Sequence, residues 1–113
     1  MKRSSFAILG FALASLFTTS AMAKDVDLKA CTADGMTATL TAHINGDAIK
    51  TNPDLFNKLQ KAFAETAGSM SAKDFNSDVG GQDFLGKALA IDPYFFKHVH
   101  FTADPTITPG CSL

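Results

Sequence analysis

The clearest pattern in the chain is the alternation of apolar and polar residues between positions 36 and 44. The polar positions are mostly threonine, a β-branched residue that is enriched in strands. This pattern predicts a strand with one buried face and one polar face. A shorter alternation over residues 24–31 predicts a preceding strand, and Asp34-Gly35 between the two is typical of a hairpin turn.

Helical signals follow at residue 52. Asn52 is a suitable N-cap, Pro53 is favoured at the first helical position, and Gly68 is typical of a helix end. The apolar residues between them recur at helical spacing, which predicts one amphipathic helix.

A second, short helix is predicted to begin at Ser71, with Met70 and Phe75 placed as a hydrophobic staple. Gly80-Gly81 is predicted to break the chain before a third helix at about 82–90. Asp92-Pro93 ends that helix, because the residue before a proline avoids helical angles.

Alternation returns between Tyr94 and Ala103 and predicts a last strand, followed by an extended tail. Strands followed by helices and a closing strand are typical of an α+β domain. We therefore predict a small sheet of about three antiparallel or mixed strands, with two to three helices packed on one face.

Residues 1–23 have the features of a cleaved secretory signal peptide. Lys2 and Arg3 precede an apolar run from Phe6 to Phe17, and Ala21-Met22-Ala23 offers the small residues that signal peptidase requires. The run is too short for a permanent membrane anchor. The sequence therefore predicts a periplasmic or secreted protein whose single domain covers residues 24–113.

Charge and cysteine content narrow the classes of function. Residues 24–113 contain eight lysines, eleven acidic residues and no arginine, so nucleic-acid binding is not expected. Cys31 and Cys111 are the only cysteines. In an oxidising compartment such a pair predicts a structural disulfide, and the absence of C-x-x-C spacing disfavours a redox or metal role.

The order of elements resembles a known group. The segments NPDLFNKLQKAFAETAGSMSAKDF and KHVHFTADPTI are similar to the helix and closing strand of the periplasmic part of the flagellar FliL family and of the related stomatin/prohibitin (SPFH) core. The resemblance covers residues 36–107 and implies a non-enzymatic domain that self-associates or docks on a membrane-protein assembly. Those families keep an uncleaved membrane segment and lack the cysteine pair.

Three histidines form one candidate metal site. His98 and His100 would project from the same face of the last strand, and His43 lies on the polar face of an earlier one. If these strands are neighbours, the three imidazoles could bind zinc or copper. The alternative interpretation is that they are exposed polar residues of a half-buried sheet, and no cofactor is then expected.

A calcium loop is a second candidate. Asp74, Asn76 and Asp78 match its first three ligand positions, but Val79 occupies the glycine position and Leu85 the position of the bidentate glutamate. An N-capped helix with Asp74 in its first turn explains the same residues.

Catalytic patterns are weak, and no enzymatic activity is expected. Glu65 is the only glutamate, no G-x-S-x-G motif occurs, and a domain of this size offers little volume for an enclosed pocket. The consecutive aromatic residues Tyr94, Phe95 and Phe96 cannot all face the core of a strand. They predict an exposed aromatic surface for a protein partner or for self-association.

The sequence therefore favours a secreted, non-enzymatic binding or accessory protein that acts through a sheet edge or an aromatic surface. The alternative is a small periplasmic metal-binding protein that uses the three histidines.

Overall fold

The computed structural model describes residues 23–113, so the predicted signal peptide lies outside the described residues except for Ala23. Strands and helices form the predicted α+β fold, with four antiparallel strands. The elements in chain order are β1 (Lys24–Cys31), β2 (Thr37–Ile44), α1 (Gly46–Thr51), α2 (Leu55–Gly68), α3 (Ala72–Phe75), α4 (Asp78–Ile91), α5 (Phe95–His98), β3 (Val99–Phe101) and β4 (Thr106–Thr108).

The predicted hairpin is confirmed. Strands β1 and β2 are antiparallel, and Leu28 lies opposite Leu40, so the apolar positions of both strands share one face. Gly35 has a φ of 80°, which glycine adopts without strain. Asp34 accepts hydrogen bonds from the Thr32 hydroxyl at 2.6 Å and from the Ala72 N–H at 3.0 Å. The pKa of Asp34 is lowered most by the hydrogen bond from Thr32 and further by that from Ala72. The bond to Ala72 also joins the hairpin turn to α3.

The two short strands lie on the other side of β2. Strand β3 pairs with the end of β2, where His100 lies opposite His43, and β4 pairs with its beginning, where Ile107 lies opposite Ala38. The tail that was predicted to be extended thus contributes the fourth strand. A disulfide joins Cys31 to Cys111 and ties this tail to β1.

The helices cover one face of the sheet and enclose an aromatic core. Phe63 of α2 is completely buried, and its ring makes edge-on contacts with Phe75 at 5.1 Å and Phe84 at 5.5 Å between ring centroids. The apolar face of β2 packs in the same cluster of buried residues. Within residues 23–113, no helix has the length and hydropathy needed to cross a bilayer.

A polar contact joins the two long helices. The hydroxyl of Thr66, a buried residue of α2, donates to Asp83 Oδ2 at 2.7 Å, and Lys87 Nζ donates to the same oxygen at 2.6 Å. The pKa of Asp83 is lowered most by the hydrogen bond from Lys87 and further by that from Thr66. The carboxylate therefore stabilises the fold above its unfolded pKa, and the contribution is lost as the pH falls through the lowered folded pKa. Because Asp83 is partly exposed to solvent, its contribution to the free energy of unfolding is about 1 kcal/mol at most.

The predicted break at Gly80-Gly81 is wrong, because α4 runs through both residues. Gly80 is required for close approach instead: a Cβ there would lie 2.0 Å from the Phe75 carbonyl oxygen. Gly81 has open space around its Cβ position. The first glycine therefore lets α3 and α4 meet, and the helix begins at Asp78 rather than near residue 82.

Two further local predictions are wrong. Helix α2 begins at Leu55 with Asp54 as its N-cap, and the predicted N-cap Asn52 is instead the C-cap of α1. The sequence pattern did not predict α1, whose N-cap Asn45 accepts the Asp47 N–H at 2.8 Å through its side chain. Residues 95–98 form the single helical turn α5, so the last strand is limited to Val99–Phe101. Asp92-Pro93 does end α4, as predicted.

Candidate functional site

Among the sites predicted from the sequence, the aromatic residues at the start of α5 form the most exposed apolar surface. The side chains of Tyr94 and Phe96 are 62% and 60% exposed. Phe95 is completely buried and packs 5.8 Å from the Phe101 ring, so the prediction that it belongs to the partner surface is wrong. The helical turn directs its ring into the core. The surface is therefore Tyr94 and Phe96, which we call the aromatic pair.

Hydrogen bonds to the Asp92 carboxylate stabilise the turn that carries the aromatic pair. Asp92 is buried, and its carboxylate accepts the Tyr94 N–H at 2.9 Å through Oδ1. Through Oδ2 it accepts a hydrogen bond from His98 Nδ1 at 2.6 Å. One carboxylate thus joins the first and last residues of the turn. Lys97 Nζ lies 5.8 Å from the centre of the Tyr94 ring and adds a cation–π contact.

The sheet edge is the other surface predicted for partner binding. The side-chain amide of Gln60 in α2 accepts the Lys29 N–H at 3.1 Å and donates to the Lys29 carbonyl at 2.6 Å. The Gln60 amide thus occupies the N–H and the carbonyl of Lys29, to which an added strand would otherwise bond. Asp25 and Asp27 lie along the rest of β1, and charged side chains disfavour edge pairing. The β1 edge is therefore less open to a partner than the aromatic pair.

The structure brings together two of the three histidines. His43 and His100 are directly opposite each other in β2 and β3, and Asp25 lies opposite His43 in β1. His43 Nδ1 is 2.5 Å from Asp25 Oδ1, while its Nε2 is buried without a hydrogen-bond partner among the described residues. His98 bonds to Asp92 instead. Within residues 23–113, no group of three His, Cys, Asp or Glu side chains is placed to bind a metal ion.

The candidate calcium residues lie at the junction of α3 and α4. The Ser71 side chain accepts the Asp74 N–H at 3.2 Å, so the predicted N-cap of this helix is confirmed. Asn76 is the C-cap of α3, and Asp78 lies in the first turn of α4. The segment thus forms two consecutive helix ends rather than a loop closed around one point.

A cleft that the sequence did not predict opens beside this junction. It has a volume of about 370 Å³ and lies between the start of α4 and the chain that joins β3 to β4. Four phenylalanines are among its lining residues, and Phe101 is the most accessible of them; the other three are Phe63, Phe75 and Phe84. The seven phenylalanines of residues 24–113 are the only signal of it in the sequence, and they are equally explained by the core.

Comparison of the chain with protein-family models, with curated proteins and with solved structures finds no match. The resemblance to the FliL family and the SPFH core stays a prediction.

Proposed function

We propose that this chain is a secreted, non-enzymatic binding protein that attaches to a protein partner through Tyr94 and Phe96. The observation that carries the proposal is the exposure of two large aromatic side chains on one short, fixed turn. Aromatic residues of this kind supply much of the binding energy at protein interfaces.

The fixed backbone of the turn favours binding. Asp92 bonds both ends of the turn, and buried Phe95 anchors its middle. A partner therefore has little backbone to order, and each ring has only two side-chain torsions to fix. Covering the exposed parts of both rings would contribute about 2–4 kcal/mol. That corresponds to about a 30-fold to 1,000-fold effect on affinity.

The disulfide supports a location outside the cytoplasm. Such cross-links persist in oxidising compartments, of which the bacterial periplasm is one. The N-terminal segment with signal-peptide features is consistent with that location. We propose that the mature chain begins at Lys24 and acts in the periplasm or outside the cell.

Photo-crosslinking in cells tests the partner. A benzophenone amino acid at exposed position 97 lies beside the aromatic pair, and both rings can then be changed independently. We expect one discrete crosslinked product, reduced at least about tenfold by Tyr94→Ser with Phe96→Ser. Val79→Ser is the matched control, because Val79 is 63% exposed at the start of another helix.

The control variant should retain the product, and circular dichroism should show that all variants keep the fold. A product that survives the double substitution would contradict the proposal. A product with the mass of two copies of this chain would identify the partner as the chain itself.

The metal alternative has one observation in its favour: His43 lies opposite His100, and its buried Nε2 has no hydrogen-bond partner within residues 23–113. Zinc or copper would bind these two imidazoles, and other ligands would have to complete the site. His43→Ala with His100→Ala should then abolish zinc uptake and leave the crosslinked product unchanged. Loss of the product on these substitutions, with no uptake of zinc by the wild type, would contradict both functions.

A further inference from the structure

The cleft beside α4 combines an apolar lining with a polar mouth. Its accessible apolar residues are the partly exposed Leu85, Phe101 and Pro105, whereas Phe63, Phe75 and Phe84 also line it but are nearly or fully buried. The mouth is formed by exposed residues of the α3–α4 junction and by Asp104 in the chain after β3. A volume of about 370 Å³ lies at the lower end of the range for small-molecule sites. The space suits a small apolar group with a polar end.

The charge at the mouth has one sign. Among residues 23–113, Asp78 and Asp104 are the only charged residues that line the cleft, and both are exposed. The N-terminus of α4 also faces the mouth and carries a partial positive charge. Asp78 lies in its first turn and opposes that charge. Because the two carboxylates outweigh the partial charge of the helix N-terminus, the net electrostatic potential at the mouth favours a cation over an anion.

We propose that this cleft binds a small apolar molecule with an ammonium head group, its tail against the apolar lining around Phe101 and Leu85 and its head beside Asp78 and Asp104. The partly exposed Phe101 ring favours such a ligand twice, since an aromatic ring buries apolar carbon and attracts alkylammonium groups through its face. The site shares no residue with the aromatic pair, so it is independent of the proposed partner binding.

Two glycines of α4 provide a matched test of the location. Gly81 and Gly86 are both exposed and both lie within α4, and in the part of the chain that the structure describes no atom lies within 4 Å of either Cβ position. Only Gly81 lines the cleft. Gly81→Leu should reduce the space at the mouth and weaken binding at least about tenfold, whereas Gly86→Leu should change it by less than about twofold.

Three probes with the same eight-carbon chain test the charge: octyltrimethylammonium, octyl sulfate and octanol, each measured by calorimetry and by amide chemical shifts. We expect the ammonium probe to bind at least about tenfold more tightly than the sulfate, with shifts at residues 76–82 and 103–105. Asp104→Asn should weaken the ammonium probe about threefold and leave octanol unchanged. Asp54→Asn, an exposed carboxylate outside the cleft, is the control.

Equal or tighter binding of octyl sulfate would overturn the proposal, as would the absence of binding by octyltrimethylammonium at millimolar concentration. Equal weakening by Gly81→Leu and Gly86→Leu would move the ligand away from the cleft and would also overturn it. Thermal unfolding of each variant verifies that the binding is measured on folded protein. None of these outcomes bears on crosslinking at position 97.

Discussion

Replacing Cys31 and Cys111 together by serine is expected to lower the free energy of unfolding by about 4–5 kcal/mol. The two residues are 80 positions apart and are joined in the folded protein, so the disulfide closes almost the whole described chain into one loop. Chain-entropy arguments give the largest stabilisation to the longest loops. A small domain has a total stability of only about 5–15 kcal/mol, so the variant should be at the limit of folding at 37 °C.

Urea unfolding followed by circular dichroism measures this difference. The control is Thr37→Ala, because the Thr37 hydroxyl donates to the Gly110 carbonyl at 2.6 Å and also holds the C-terminal tail. That substitution should cost about 1 kcal/mol. If the double serine variant lost no more than Thr37→Ala, docking of the tail rather than the covalent link would account for the stability.

Phe63→Ala is expected to cost about 3–5 kcal/mol, the second large effect. Phe63 is completely buried, lies between the rings of Phe75 and Phe84, and connects α2 to both α3 and α4. Its removal leaves a cavity that the surrounding helices can fill only in part. It should also enlarge the cleft, because Phe63 is one of its lining residues.

Phe56→Ala is the matched control for this prediction. Phe56 lies two turns earlier in the same helix but is 36% exposed. Its loss should cost about 1 kcal/mol in the same urea experiment. Equal costs at the two positions would contradict the assignment of Phe63 to the centre of the core.

The local sequence was sufficient for the β-hairpin and for the amphipathic body of α2, but it placed the start of that helix at Asn52 rather than at Asp54. Alternation with a period of two leaves one buried face for β1 and β2, and Asp34-Gly35 needs no distant contact to form a turn. Helix α4 shows the limit of such reasoning. Gly80-Gly81 has a low helical propensity, but the close contact with the Phe75 backbone requires glycine and lies outside any local pattern.

The candidate site was predictable only in part. Three consecutive aromatic residues cannot all enter the core, which correctly indicated exposure at Tyr94 and Phe96. Phe95 is buried in α5, and the Asp92 carboxylate bonds to Tyr94 and His98 at the two ends of that turn. His98 bonds to Asp92, whereas His43 and His100 lie opposite each other in the sheet. The cleft arises where distant elements meet, so no segment of the sequence could indicate it.

Native mass spectrometry of the protein recovered from the periplasm, in a volatile buffer without chelator, tests the central claim most directly. We predict a chain that begins at Lys24, carries the two-hydrogen mass loss of a disulfide, and is bound to one partner in a fixed ratio. Tyr94→Ser with Phe96→Ser should release the partner and leave the chain otherwise unchanged. A wild-type chain that retains residues 1–23, or a partner that remains bound to the double variant, would contradict the account.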